Sequence, residues 1–132
     1  MSGPDHPAVE ECLNVQYLCL VYEEEAKVDA LPEHESAAIA DEDLAYLEEL
    51  QMSGHCVVSA GLQPARSAVT VRVRNGSLII FDGPAIGTTE RLGSFHLIDA
   101  RDLNDAIRIA AKMPWARLGW IELRPLEECN SG

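Results

Sequence analysis

The chain has 132 residues, enough for one domain that buries its own core without disulfide or metal staples, and its formal net charge is −12. A field this negative argues against nucleic acid as a direct partner, because such binding needs a basic surface that displaces counterions. No run of about 18 apolar residues occurs, and the acidic, proline-containing start (Met1 to Leu13) is unlike the basic-then-apolar pattern of a signal peptide, so the expected location is the cytoplasm, with no membrane partner.

Residues 1–14 are polar and aperiodic and read as a loose N-terminal extension; a single domain is expected over 15–126, with a tail at 127–132. From Val15 to Tyr22 both alternating sets, Val15, Tyr17, Cys19, Val21 and Leu18, Leu20, Tyr22, are apolar. That pattern predicts a strand buried on both faces. Glu23, Glu24 and Glu25 then read as a solvated turn. Between about Pro32 and Met52, Ile39, Leu44, Leu47 and Leu50 are spaced among strong helix formers, which predicts one amphipathic helix. Gly54 ends it, and His55 to Leu62 supplies a second strand that Gln63-Pro64 breaks.

Over 68–82, Val69, Val71 and Val73 alternate with Thr70, Arg72 and Arg74, turn at Asn75-Gly76 and return through Leu78, Ile79, Ile80 and Phe81, a two-residue hairpin signal. A further strand is expected from Ser94 to Ala100. Asp102 then caps a helix with Leu103, Ala106, Ile107, Ala110 and Met113 on one face, and Pro114 stops it. Gly119 to Arg124 forms the last strand. The order strand, helix, strand, hairpin, strand, helix, strand makes an α+β domain of two split βαβ units around an inserted ribbon. Two helices cover one face of such a sheet. The doubly apolar first strand therefore predicts a homodimer in which two sheets pack face to face.

Charge is uneven along the chain: residues 1–65 carry fourteen acids against Lys27 alone, whereas 66–132 carry eight acids and nine arginines or lysines. Arg66, Arg72 and Arg74 make the hairpin basic, either as a contact for an anion or acidic partner or as the solvated face of a ribbon. Cys12, Cys19, Cys56 and Cys129 lack C-x-x-C spacing, so reduced and mostly buried thiols are expected, and no spacing among cysteines and histidines predicts a metal site. Gly83, Gly87 and Gly93 lack the strand-to-helix setting of a phosphate loop, and no cofactor is implied.

The hairpin closes on Asp82-Gly83-Pro84, which presents a lone carboxylate before the next strand begins. Asp82 is the leading candidate functional residue: it acts either as a general base, with its pKa raised in a cleft, or as a turn residue bonded to its own backbone. His55 opens a strand after a glycine cap and suits either proton transfer near neutral pH or a structural role at a helix end. His96, between Phe95 and Leu97, reads as a core histidine with a partner. Trp115 and Trp120 are expected to cover the sheet end or the dimer seam.

Several segments together carry a family resemblance over about Gln16 to Pro125: YLCLVYEEEAK (17–27), SGH (53–55), GLQPARSAVTVRVRNG (61–76), DGP (82–84), TERLGSFHLIDARDLNDAI (89–107) and ELRP (122–125). In their order and spacing they resemble the YCII-related family, in its DGPF-domain branch. The resemblance implies a ferredoxin-like fold assembled as a dimeric α/β barrel, a family role that is largely unsettled, and frequent association with extracytoplasmic-function sigma factors. Relatives of the fold include muconolactone isomerase-like and dehalogenase-like proteins, which implies a His/Asp proton-transfer site and directs attention to Asp82 and His55. The chain departs from the family pattern at Ala85 in place of the aromatic of DGPF, at Gly87 in place of an acid, and at Ser59-Ala60 in place of Gly-Glu. Two carboxylates and an aromatic wall are thus missing from the expected cleft. Two functional classes follow: a protein that binds a small organic ligand in a barrel cleft, as a degenerate acid-base enzyme or without turnover, and a regulatory module acting with a sigma factor.

Overall fold

A computed structural model describes residues 14–86 and 90–127. The strand expected at Val15 is the centre of the fold: β1 (Val15–Glu24) pairs antiparallel with β5 (Glu90–Ala100) on one side and β6 (Gly119–Pro125) on the other, while β2 (Cys56–Gly61) adds to the far edge of β5. The order β2-β5-β1-β6, with an antiparallel strand inside each crossover, is the ferredoxin-like arrangement of two split βαβ units. The extension expected over 1–14 and the tail over 127–132 lie, but for Asn14 and Glu127, outside the described residues.

Two helices cover one face of the sheet. Helix α2 (Glu33–Met52) starts after the extended Pro32, carries Glu33 and Glu35 in its first turn where the dipole favours acids, and ends at Ser53. Gly54 then adopts φ +84°, a conformation costly for any side chain, and the His55 N–H donates back to the Leu50 carbonyl at 2.9 Å. Helix α3 (Leu103–Ala111) is capped as expected: the Asp102 carboxylate accepts from the Asp105 N–H at 2.8 Å. Tyr46 on α2 donates its hydroxyl to the Ile109 carbonyl at 2.7 Å, joining the helices. Tyr17, Cys19, Leu50, Cys56, Ile98, Ala100, Ala106, Ile109 and Met113 form the core beneath them. A 3-10 turn at Pro114–Arg117 leads into β6, where a Cβ on Gly119 would fall on the Tyr22 carbonyl oxygen.

The opposite sheet face carries Leu18, Leu20 and Tyr22 of β1 with their partners Leu97, Phe95 and Leu92 of β5, and none of these is fully buried. Trp120 of β6, opposite Tyr22, is 48 % exposed. No helix of the described residues lies over this face.

Two elements differ from expectation. The acids at 23–25 do not form a solvated turn; β1 continues through Glu24 and a short helix, α1 (Glu25–Asp29), follows. Strand β5 begins at Glu90 rather than Ser94. One ion-pair cluster explains both, because Arg91 on β5 donates to Glu23 (3.1 Å) and to Asp29 (3.2 Å), drawing the acidic segment onto the sheet end.

The hairpin forms in the expected register, β3 (Val69–Arg74) against β4 (Ser77–Asp82), with Val69 opposite Asp82 and Val73 opposite Leu78. Asn75 (φ 52°) and Gly76 (φ 77°) give its two-residue turn the left-handed pair that matches strand twist. It stands as a separate two-stranded sheet.

Candidate functional site

Where the hairpin leaves the domain, the chain encloses a cavity of about 580 Å³. Its walls come from three places: Leu62, Gln63 and Pro64 after β2; Ala65 and Ser67 in the 3-10 turn before β3 with Ala68 just after it; and Pro84 and Ile86 after β4. Tyr22, Glu25, Glu90, Arg91 and Leu92 supply the floor from the sheet end. The rigid parts are local. Pro64 fixes the entry to the 3-10 turn, the Gly83 N–H donates to the Ala68 carbonyl at 2.7 Å, and the Thr70 hydroxyl donates to the Gly83 carbonyl at 2.7 Å, so the hairpin root is tied across its two strands. The lining is mainly apolar with a few charged groups to one side, the composition typical of a small-molecule cleft.

Arg91 is the fixed charge of this site. Burial works against its cationic form, but the hydrogen bonds to Glu23 and Asp29 outweigh that and raise its pKa above the ordinary arginine value. Its guanidinium is already committed to Glu23 and Asp29, which leaves it little capacity to hold a further anion in the cavity.

Asp82 is exposed at the end of β4, two residues before Pro84 of the cavity wall, and its side chain is not part of the lining. His55 lies at the other end of β2. Its Nδ1 is 3.2 Å from the Asp99 carbonyl oxygen, and it borders a hollow of about 130 Å³ with Gly54, Asp99, Arg101 and Asp105. The six residues of β2 separate that hollow from the cavity mouth at Leu62, about 20 Å at the usual strand rise. One chain does not bring Asp82 and His55 together.

Asp105 beside His55 is a structural acid. Its buried carboxylate accepts from the Arg101 N–H at 3.0 Å, from the Arg101 guanidinium at 3.5 Å and from the Arg108 guanidinium, and these bonds, the backbone one foremost, hold its pKa down at about 2. His96 is buried with its Nδ1 2.8 Å from the Ser59 hydroxyl, and burial lowers its pKa, favouring the neutral ring. Cys19 and Cys56 are buried free thiols; burial, and for Cys19 the neighbouring Cys56, push them up, Cys19 to about 12, so neither is a reactive thiolate. Cys12 and Cys129 lie outside the described residues. Among the described residues no group of three or more His, Cys, Asp or Glu could hold a metal ion.

Tyr22, Glu25 and Arg91 line the cavity but do not stand out as site residues in the sequence pattern. The signal available was the acid run 23–25 and the Glu90-Arg91-Leu92 stretch, whose meaning depends on a pairing between strands 68 residues apart.

The family model for the YCII-related domain matches residues 15–130. An uncharacterized protein of Rhizobium meliloti (strain 1021) is 31 % identical over 112 residues, covering 83 % of this chain and 90 % of that protein.

Proposed function

Because the chain belongs to the YCII-related domain family, we propose that it is a cytoplasmic homodimer that binds a small organic molecule in the cavity at the root of its hairpin. The cavity itself carries the reading: about 580 Å³ of mainly apolar space falls within the range of sites that enclose small ligands. The pairing of Arg91 with Glu23 and Asp29 favours neutral or cationic ligands over anions. Asp82 and His55 remain the acid-base candidates. Asp82 ends β4 near the cavity wall and His55 precedes β2 beside the smaller hollow, so a reaction using both takes one from each protomer, and Ala60, Ala85 and Gly87 favour binding without turnover. The homodimer reading rests on the apolar sheet face that no helix of the described residues covers.

The experiment is a thermal-shift screen of neutral, cationic and anionic metabolites, repeated on Ala68→Trp, which fills the cavity from an already ordered turn, and on Asp82→Asn, which keeps the turn's hydrogen-bonding capacity. Ligands of the wild type should lose their shift in Ala68→Trp. Shifts that persist there would overturn the site, and a selective loss in Asp82→Asn would put that carboxylate in contact with ligand.

A second reading, a regulatory module acting with an extracytoplasmic-function sigma factor, is favoured by α2, which exposes six carboxylates and carries no lysine or arginine. Such a face suits a basic partner surface. Co-purification with the sigma factor that is abolished by reversing charges on α2 would support it.

A further inference from the structure

The β3–β4 hairpin has two unlike faces. The register puts Val69, Val71 and Val73 beside Leu78 and Ile80 on one side, with Asp82 at the root end of that face, and Thr70, Arg72 and Arg74 beside Ser77, Ile79 and Phe81 on the other. On the first side all five aliphatic side chains are 58–63 % exposed, and neither strand packs appreciably on any other described element. A two-stranded hairpin alone is marginally stable in water and needs a third layer to hold it. The mixed face can stay in solvent, since arginine stems shield part of Ile79 and Phe81. The aliphatic face has no such cover.

We propose that this hairpin is an arm that docks, through Val69, Val71, Val73, Leu78 and Ile80, on a second copy of the same chain. The inference rests on the homodimer reading above and extends it from the sheet to the arm. Area selects the occupant. Five side chains at about 100 Å² each make a patch of roughly 500 Å², toward the upper end of what a monomer shows. Two arms related by a two-fold axis, each covering as much of its partner, bury about 2,000 Å² together, which is the size of a stable protein interface. In the homodimer read above a second copy already covers the apolar sheet face, so the same partner can cover the arm without a further protein. Because the arm root forms the cavity wall, arm docking also fixes the cavity mouth: Ala68 and Pro84 flank the strands that the partner would hold.

The test measures mass against concentration by light scattering for three proteins: the wild type, the arm variant Val71→Asp/Ile80→Asp, and the sheet variant Leu18→Asp. The wild type should be a dimer of the 14.4 kDa chain. The arm variant should dissociate with a Kd raised about 100-fold or more, while keeping the far-ultraviolet spectrum and cooperative melting of the domain. Hydrogen exchange on the unmodified protein is the second measurement, and amides of 69–82 should gain protection as concentration drives dimer formation. An arm variant that dimerises like the wild type, with no concentration-dependent protection over 69–82, overturns the arm while leaving the dimer standing. Dissociation of the sheet variant alone would place the whole interface on the sheet. A monomeric wild type overturns both.

Discussion

Asp105→Asn should lower stability by an amount that vanishes in acid. The carboxylate sits buried at the start of α3 with its folded pKa near 2, against 3.8 for an unperturbed aspartate. At about 1.36 kcal/mol per pKa unit the full shift would be about 2.4 kcal/mol. Both guanidinium partners are largely exposed, 73 % for Arg101 and 59 % for Arg108, so solvent screens their share. The unscreened backbone N–H of Arg101 keeps the remainder, and about 1–1.5 kcal/mol is the reasoned value. The sign follows from linkage: a depressed carboxylate contributes stability above its unfolded pKa and loses it as pH falls through the folded value. For 132 residues, an unfolding entropy of about 2.1 cal/mol/K per residue makes 1 kcal/mol equivalent to about 3.6 °C. Calorimetry at pH 6.5 should therefore find the variant about 4–5 °C less stable, with the gap closing between pH 4 and pH 2. Asparagine keeps an acceptor for the Arg101 N–H, so shape and capping are preserved. A gap that is constant from pH 6.5 to pH 2.5 would refute the electrostatic reasoning and leave only a packing effect.

His96 works in the opposite part of the pH scale. Its folded pKa is lowered by burial, so below the unfolded value of about 6.5 the unfolded chain takes up a proton that the native ring refuses, and stability falls with pH at up to about 1.36 kcal/mol per unit. Urea titrations at pH 7.5 and 5.5 should show this loss in the wild type and its removal in His96→Asn; equal losses in both would assign the slope to other groups. Gly119→Ala should cost about 1–3 kcal/mol or more, because the new Cβ meets backbone at Tyr22 and Glu23 rather than a movable side chain. Chemical denaturation checks it, and a neutral result would mean that β6 can move away from β1 at no cost.

The parts of the fold legible in the sequence were those set by neighbours in the chain. Asn75-Gly76 dictates a left-handed two-residue turn whatever surrounds it, Asp102 caps from three residues away, and Gly54 ends α2 through its own φ. The alternation of Val15 to Tyr22 identified the central strand because both faces had to be apolar. The acid run at 23–25 misled for a physical reason: three glutamates in sequence look solvated until Arg91, from the far end of the chain, is placed against them. The cavity was hidden by the same limitation. Leu62, Ala68 and Leu92 carry no chemical signal in sequence, and with Pro84 of the Asp-Gly-Pro turn they enclose a space only after the hairpin root and the β5 start converge. Asp82 was conspicuous because Asp-Gly-Pro is a turn signal; at that turn the backbone ties are those of Gly83 to Ala68 and Thr70.

The position of β5 between β1 and β2 also sets the order in which the chain can acquire its shape. As the polypeptide emerges from its N-terminus, β1 and β2 appear first, yet neither touches the other in the finished sheet, and each must wait for residues beyond Glu90 before it gains a hydrogen-bonded neighbour. The hairpin, closed by a two-residue turn, needs no such wait. Pairing across so long a stretch of chain is slow compared with local pairing, so during synthesis an aliphatic ribbon stands ready before any core exists to accompany it. A ribosome stalled before β5 would hold two orphaned apolar strands and one formed hairpin. That is a state suited to capture by chaperones, and one in which the open edges of the hairpin are most prone to pair with the wrong chain.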